Sequence, residues 1–570
     1  MSTDLENVLV VEKLMDLEKV TNPANTVLIG PVFKTLNRFP AAAVSNTQIV
    51  FNNIVAPSLT TVMKRTLRIE MEVQVAVTTG GGAGQLKTDP QFNAVNATTG
   101  APVALLNDAT NANICLRAFP LSGVCSSVDI RLNGGSTNCA LASYSQIYPF
   151  LQGVNDAKRY ASECPLQADN SAKYENTSAT SPFNGINGNS ATQPRGSFIA
   201  TLVSIVGAIA TYNIKWTEEL IVSPFLTGAN MEDIGLVNVN NLTVTLRLND
   251  LNGMFSGAFT TGTIATSILA LPNLLVEFDT QNSIMSQRSP QNAVYPYNQI
   301  QTYQQTIASL PIPGAEATIS LTALRLPCQP SKIYCYIAPV ARTTKVPDHF
   351  LRIVGVSVNF NNKNSLLNGM DESSLYTMSA FNAGSERNGF MSWNQWKYGS
   401  GSLVVIDVQR DLSVDEGSQS GSQNQFSTLQ ITLRYTSTNL LYSGLTVTGA
   451  DPTLVVASSY NAFQVIVSPG KAYVSASQCE FVVQGPSPAV VLGLVADESS
   501  TKIPEDAVPD SDNADGKGFS DLIQKGLKLA YQHRDVIMSA AAPHIKKLMG
   551  SGGSIDGGMV SAGALKHRRA

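Results

Sequence analysis

Charged residues and histidines are scarce in this sequence of 570 residues. Lys, Arg, Asp and Glu together make up 14% of it, whereas an average soluble domain has about 25%. The formal net charge of −4 argues against nucleic-acid binding by the protein as a whole. Of the four histidines, only His349 precedes residue 530. A histidine-based triad or zinc site in the body of the chain would therefore depend on that single side chain, and we expect it to be an ordinary loop residue at a strand start.

Sequence motifs of catalysis are also absent, because there is no G-x-S-x-G elbow, no phosphate-binding G-x-x-x-x-G-K-[ST] loop and no H-E-x-x-H. The remaining candidate groups are Glu218, Glu219, Asp371, Glu372, Trp393 and Trp396. The carboxylates form pairs of sequence neighbours, which point to opposite faces of a strand, and we expect them to be solvated. The tryptophans could form a platform for sugars, but aromatic packing is the commoner role. The sequence thus predicts no catalytic residue, no cofactor and no metal.

Long hydrophobic runs and paired cysteines are missing too. The apolar stretch 199–214 is interrupted by Thr, Ser and Asn and is shorter than the roughly 20 residues that span a bilayer, so no membrane span is predicted. The first 20 residues have neither a basic start nor an apolar core, which predicts no signal peptide. The seven cysteines are odd in number and contain no C-x-x-C pair. We expect free, mostly buried thiols and folding in the cytoplasm or nucleus.

Period-two alternation of apolar and polar residues is the dominant pattern that is present. It is clearest at residues 67–77, 242–248, 354–360 and 429–435. Each run predicts a strand with one buried and one wet face, as in a β-sandwich. The alternation predicts a mostly-β protein. Because the alternating runs are interrupted near residues 285–305, the sequence predicts two sandwiches.

The predicted organisation has six segments, and the two ends differ from the middle. Residues 517–570 contain nine Lys and Arg against three Asp, a net of +6, and helical spacing at 519–541 predicts an amphipathic helix. The segments are an N-terminal arm with a short helix at 1–34, a first sandwich at 35–285 with a long loop insertion at about 80–195, a connector at 286–304, a second sandwich at 305–496, an acidic linker at 497–516 and a basic helical tail at 517–570.

A series of short segments, taken in order, resembles the major capsid proteins of virophages, polinton-like viruses and adintoviruses, which belong to the adenovirus hexon lineage. Its most telling members include Met-Ser-Trp-Asn-Gln-Trp at 391–396 and Val-Ser-Val-Asn-Phe-Asn-Asn at 356–362. The others are at residues 39–40, 48–51, 118–121, 128–136, 216–225, 235–239, 333–337, 348–351, 375–379 and 402–408.

The resemblance implies two tandem jelly-roll β-sandwiches, a double jelly roll, and a major capsid protein that is not an enzyme. Such a protein is expected in the virion, as a homotrimer whose pseudo-hexagonal capsomers tile an icosahedral shell around a DNA genome, with the 80–195 insertion at its rim. Expected partners are neighbouring capsomers, penton and minor capsid proteins, a viral maturation protease and, through the basic tail, genomic DNA. The alternatives are a secreted carbohydrate-binding or glycosidase β-sandwich, or another viral surface protein such as a fibre or penton.

The resemblance also implies cutting of the tail by a cysteine protease of the adenovirus type, which prefers Met, Ile or Leu followed by glycines. Two sites fit within the Gly/Ser-rich end of the chain, where an extended conformation is accessible. Their residues are Leu548, Gly550, Ser551 and Gly552 for the first site, and Ile555, Gly557, Gly558 and Met559 for the second. A third match at residues 132–136 lies in the predicted first sandwich, where we expect the fold to protect it.

Overall fold

The chain divides into a compact unit, Met1–Val495, and a second unit, Ala496–Ala570. A computed structural model describes residues within the first unit, and the N-terminal helix, the acidic linker, the helical tail and both tail cleavage sites lie outside the described residues. The described part is 32–483 except for 58–60, 80–84, 87–94, 97–112, 152–161, 167–197, 208, 226–234, 259–261, 282–291, 308–309, 312–314, 341–347, 362, 384–389, 399–400, 413–426, 438–458 and 476.

Strands dominate the described residues, and helices are few and short. The first half contains β1 (Val32–Pro40), β2 (Ala43–Ser45), β3 (Gln48–Ile54), β4 (Val62–Thr79), β5 (Gln85–Leu86), β6 (Val95–Asn96), β7 (Asn113–Leu116), β8 (Cys125–Leu132), β9 (Gly135–Cys139), β10 (Ile199–Val206), β11 (Ile209–Glu219), β12 (Leu242–Leu248), β13 (Phe255–Ala258), β14 (Gly262–Ile268) and β15 (Asn273–Gln281). The second half contains β16 (Asn292–Ile307), β17 (Ala317–Ser320), β18 (Leu324–Leu326), β19 (Lys332–Pro339), β20 (Arg352–Phe360), β21 (Lys363–Leu366), β22 (Val404–Asp407), β23 (Ser427–Thr436), β24 (Tyr460–Ser475) and β25 (Cys479–Val482). The helices are α1 (Pro120–Val124), α2 (Leu141–Leu151), the 3₁₀ turn Leu251–Met254, α3 (Glu372–Asn382), α4 (Trp393–Tyr398) and α5 (Val408–Asp411).

The first half forms two facing sheets and a small third sheet with the order β13-β7-β5. The β4 sheet has the order β1-β15-β4-β11, extended by β10 and β6, with β14 also paired to β4. The β12 sheet has the order β2-β3-β12-β8-β9. Counted along the chain, the eight main strands are β1, β3, β4, β8, β9, β11, β12 and β15. The sheets therefore read first-eighth-third-sixth and second-seventh-fourth-fifth, which is the order of a jelly roll.

The second half repeats this order with an unrelated sequence. The β19 sheet is β16-β24-β19-β22, and the β23 sheet is β17-β23-β20-β21 with β18 also paired to β23. If β17 and β18 count as one strand, the two sheets again read first-eighth-third-sixth and second-seventh-fourth-fifth. The predicted fold class, mostly β with two tandem jelly rolls, is confirmed in the described residues.

Alternating burial explains why these segments are strands. In β4, Leu67, Ile69, Met71 and Val73 are essentially inaccessible to solvent, while the residues between them are partly exposed or lie at the sheet's outer face. All four alternating runs predicted from the sequence lie in strands, namely β4, β12, β20 and β23. Each buries its apolar face against the facing sheet, which is the main driving force for such a sandwich.

Two hydrophobic cores result, and three elements belong to both. Strands β16 and β24 pair over 16 residues. Tyr295 and Val474, near one end of this ribbon, pack in the first core, whereas Ile307 and Tyr460, at the other end, pack in the second. Helix α2 likewise contributes to both cores. The two rolls are thus joined by shared core elements.

Two predicted boundaries differ from the structure. The segment 286–304, predicted as a connector, contains most of β16, which was hidden because its residues are rich in Gln, Thr and Asn rather than regularly apolar. The insertion predicted at 80–195 contains the core strand β8, where Val128 and Ile130 are fully buried. Gly, Asn and Ser around β8 weakened its alternating pattern. The predicted insertion is therefore not one long loop, because part of the first roll lies within it.

Candidate functional site

The carboxylates that sequence reasoning singled out have structural roles. Glu218 and Glu219 do point to opposite faces of β11, but the expectation that both are solvated is wrong for Glu218, which is buried. Its carboxylate accepts hydrogen bonds from the N–H groups of Leu121 and Ser122, at 2.8 Å each, and from Trp216 Nε1 at 3.2 Å. It therefore accepts hydrogen bonds from backbone N–H groups at the amino end of α1, which have no partner within the helix. Burial raises the pKa of Glu218, and these hydrogen bonds counteract part of that rise.

The second carboxylate pair stabilises helix α3. Asp371 caps the helix by accepting from the Ser374 N–H at 3.0 Å, and hydrogen bonds from Ser374 and Ser373 lower its pKa. Glu372 forms a bidentate pair with Arg352, at 2.6 Å to Nε and 2.5 Å to Nη2. Neither group is placed as a glycosidase acid or nucleophile, since each is already held by helix or strand contacts.

The tryptophans pack as the simpler interpretation predicts. Trp396 is fully buried. Tyr376 lies edge-on to both indoles, with centroid distances of 5.3 Å to Trp393 and 5.7 Å to Trp396. Because one indole is inside the protein, the two rings cannot form an open platform for a sugar.

His349 lies next to a polar junction between the rolls. Its Nε2 is 2.8 Å from the Tyr460 hydroxyl. The adjacent Asp348 pairs at 2.5 Å with Nη1 of Arg117, a fully buried arginine of the first roll whose Nε donates to the Phe255 carbonyl at 3.1 Å. In the described residues no cluster of three His, Cys, Asp or Glu side chains could hold a metal ion. The connection between the two halves at this point is made by Asp348 and Arg117, while the histidine bonds to Tyr460 within the second roll.

A tight turn of the first roll forms the second part of the junction. Asn133 and Gly134, between β8 and β9, have positive φ angles of 46° and 90°, as a two-residue hairpin turn requires. Asn133 Nδ2 donates to the Ser475 carbonyl of β24 at 2.6 Å and to the Asn238 carbonyl at 2.7 Å. At Gly135, an added Cβ would lie 2.2 Å from the Cys479 carbonyl oxygen. The protease-like match at 132–136 is therefore held in a hairpin against the second roll, not in the extended form that a protease cleft needs.

Aromatic contacts make up the third part of the junction. The Tyr336 hydroxyl of β19 donates to the Ser143 carbonyl of α2 at 2.8 Å. Tyr336 stacks on Phe463 at 4.8 Å between centroids and contacts Phe350, which in turn meets Phe150 of α2 at 5.8 Å. Helix α2 of the first roll thus covers the outer face of the β19 sheet. With the shared ribbon, these contacts hold the rolls in one fixed arrangement.

Six cysteines, Cys125, Cys139, Cys164, Cys328, Cys335 and Cys479, are free, as predicted, although Cys328 is only partly buried. Burial raises the pKa of Cys125, Cys139 and Cys335 to about 12. These thiols therefore stay protonated at neutral pH and are poor nucleophiles.

The matches of this chain to known families cover both rolls. In the described part of the chain, no helix is long and apolar enough to cross a membrane. Residues 3–285 match the model of the first domain of the Sputnik virophage major capsid protein, and residues 295–461 match that of the C-terminal domain of the major capsid protein V20. The chain belongs to the virophage-type major capsid proteins. This confirms the predicted family, its function as a capsid protein and its location in the virion.

Individual relatives agree with the family models. The chain is 25% identical over 441 residues to the putative capsid protein V20 of Sputnik virophage, covering 70% of this chain and 69% of that one. Its fold resembles a subunit of the Sputnik virophage cryo-EM structure (19% identity, TM-score 0.59, covering 86% and 92% of the two chains) and the mavirus major capsid protein (14% identity, TM-score 0.56, covering 80% and 92%). The two structural similarities support the double jelly roll.

Sequence reasoning missed the junction. The Asn-Gly pair at 133–134 is a readable hairpin signal, but nothing in the sequence shows that its amide reaches β24, since the contact spans 342 positions. The buried Arg117 was equally invisible, because an arginine is usually exposed.

Proposed function

We propose that three copies of this major capsid protein form a pseudo-hexagonal capsomer, and that these capsomers tile an icosahedral shell around a DNA genome. The observation that supports the proposal most strongly is the pair of rolls with identical strand order, fixed side by side in one chain. Three such chains present six similar walls, and a six-walled block can pack edge to edge in a plane. We take the rolls as residues 35–285 and 305–496, with β16 extending the second roll backwards.

The role is structural and not catalytic. The groups that could do chemistry are used elsewhere: Glu218 at a helix terminus, Glu372 in an ion pair with Arg352, and His349 in a hydrogen bond with Tyr460. Their hydrogen bonds fix the shape of the building block. A shell subunit needs such fixed shape, because the same contacts must recur at every copy.

Further partners follow from the parts of the sequence outside the rolls. The basic tail at 517–570, with its net charge of +6, suits contact with DNA phosphates on the inner side of the shell. Penton and minor capsid proteins are expected beside the capsomers. A maturation protease is expected to cut the tail after Ser551 or after Gly558.

Light scattering and negative-stain imaging of the purified full chain test the assembly. The expected result is a particle of three times the 60.7 kDa chain mass with a hexagonal outline. A strict monomer at high protein concentration, or a ring of another copy number, would contradict the proposed capsomer.

A further inference from the structure

Exposed apolar residues are concentrated on the β4 sheet of the first roll. Thirteen large hydrophobic residues are exposed in the described part of the chain, and seven of them lie on strands of this sheet. They are Phe33, Leu36, Ile199, Val203, Ile205, Val206 and Ile209. Val206 and Ile209 lie opposite each other on the paired strands β10 and β11, and adjoining exposed apolar residues mark interaction surfaces.

Strand register defines a neutral patch on the outer face of this sheet. Residues directly opposite each other on paired strands share a face, and Val73, Val75 and Val77 of β4 point into the core, so the residues between them point outward. The neutral patch consists of three rows across β14, β4, β11 and β10: Thr263, Thr78, Ile209 and Val206; Ala265, Ala76, Thr211 and Ser204; Ser267, Gln74, Asn213 and Thr201. None of its twelve residues is charged.

Four polar side chains of the neutral patch are already paired with one another. Gln74 Nε2 donates to Asn213 Oδ1 at 3.2 Å, and the hydroxyls of Thr78 and Thr263 are 2.7 Å apart. A partner that covers the patch would leave these groups satisfied, so the desolvation cost is small. The next charged row begins beyond the patch, where Lys215 pairs with Glu70 at 2.5 Å.

The area of the neutral patch is that expected for one of several contacts between the copies in a closed ring. With strands about 4.8 Å apart and a rise of about 3.3 Å per residue, four strands and six residues cover about 400 Å². A stable independent interface needs about 800 Å² per partner. A patch of half that size is sufficient when each copy makes several contacts at once, as in a closed assembly.

The junction inside the chain indicates what covers the patch. The β4 sheet of the first roll and the β19 sheet of the second have the same strand order. The outer face of the β19 sheet is covered by α2, the helix that follows the fifth strand, β9, of the first roll. In the second roll, α3 follows the fifth strand, β21, and therefore holds the equivalent position.

Helix α3 carries a side chain suited to the neutral patch. Ser373, Thr377 and Phe381 are spaced four residues apart on one exposed side, and Phe381 is 72% exposed, the highest value among the exposed large hydrophobic residues. Its ring stacks with the guanidinium of Arg410 at 4.3 Å, which limits its conformational freedom before binding. The contact would repeat, between chains, the roll-on-roll packing already present within one chain.

We infer that the neutral patch of one copy binds helix α3 of a second copy, with Phe381 against Ala76 and Thr211. The inference rests on the proposed trimer and assigns its interface. Because the patch and the helix lie on different rolls, each copy offers one surface and accepts the other, and the contact is head-to-tail. Such contacts close into a ring when the rotation between copies allows it.

Charge substitutions on either side test the interface in the full chain. Ala265→Arg on the patch and Phe381→Arg on the helix are each expected to weaken trimer association by about tenfold or more, as for a central contact residue, when measured by light scattering across a dilution series. Ser320→Arg, on β17 at the opposite edge of the β23 sheet from β21, is the matched control and should associate like the wild type. Circular dichroism melts of the three variants should coincide, since all three positions are exposed.

A cysteine pair gives an independent readout that does not depend on loss of binding. Ala76→Cys combined with Phe381→Cys should form disulfides between copies on mild oxidation, giving a ladder up to three chains on a denaturing gel. Ala76→Cys with Val340→Cys, which is also exposed, should not. The interface would be overturned if the wild type is a trimer, both Arg variants associate normally and no ladder forms. That result would leave the proposed trimer intact. A monomeric wild type would instead overturn the trimer itself.

Discussion

Buried charged residues at the roll junction are the side chains whose loss should matter most. Arg117→Met removes an ion-pair partner of Asp348, whose carboxylate lies in a largely dry site. We expect the free energy of unfolding to fall by about 3–5 kcal/mol, the usual cost of breaking one side of a buried pair. Urea titration followed by tryptophan fluorescence measures it.

The matched control is Arg131→Met. Its side chain is 65% exposed and pairs with Asp129 at 3.3 Å, so the change should stay within about 1 kcal/mol. Equal losses for the two arginines would mean that the junction contributes no special stability.

Glu218 gives the stability a pH dependence of known sign. Burial raises the pKa of its carboxyl in the folded state above the ordinary 4.5. Between 4.5 and that raised value, the folded protein binds more protons than the unfolded chain, so stability falls as pH rises through this window. Glu218→Gln removes the titration.

The measurement compares urea midpoints of the wild type and Glu218→Gln at several pH values between 4 and 7. The urea midpoint of the variant should rise relative to that of the wild type as pH rises. A constant difference across this range would show that Glu218 has an ordinary pKa in the fold.

At the scale of elements, the β8–β9 hairpin depends on close approach to β25. Gly135→Ala places a Cβ 2.2 Å from the Cys479 carbonyl oxygen, which belongs to backbone that cannot rotate away. We expect a loss of about 1–3 kcal/mol, as for other overpacked sites. Gly369→Ala is the control, because an added Cβ there meets nothing within 4 Å. Thermal melts compare the melting temperatures of the two variants. Equal melting temperatures would mean that the hairpin can move away from β25 at little cost.

The tail and the hairpin carry similar protease motifs in different settings. The motif at 132–136 lies in a paired hairpin, whereas those around Ser551 and Gly558 lie in a Gly/Ser-rich stretch of sequence. We expect mature particles to contain chains that end at Ser551 or Gly558 and remain uncut at 132–136. Intact-mass spectrometry of purified particles measures this, and chains that all end at Ala570 would refute the cleavage.

For the whole molecule, the sequence was informative wherever burial alternates and uninformative where packing is between distant parts. The runs in β4, β12, β20 and β23 were readable because one face of each is apolar. Strand β16 was not, since its Gln- and Thr-rich segment is recognisable as a strand only through its pairing with β24. The junction of Arg117 with Asp348 joins residues 231 positions apart, a relation that no local pattern contains.

The ribbon of β16 and β24 also has a mechanical consequence. Because both of its strands run from one core into the other, separating the rolls means pulling one end of the paired ribbon out of a core rather than peeling one surface from another. Contacts between chains have no such covalent and hydrogen-bonded continuity. A shell built from this subunit should therefore break between chains when it is strained, and the fragments should be whole subunits.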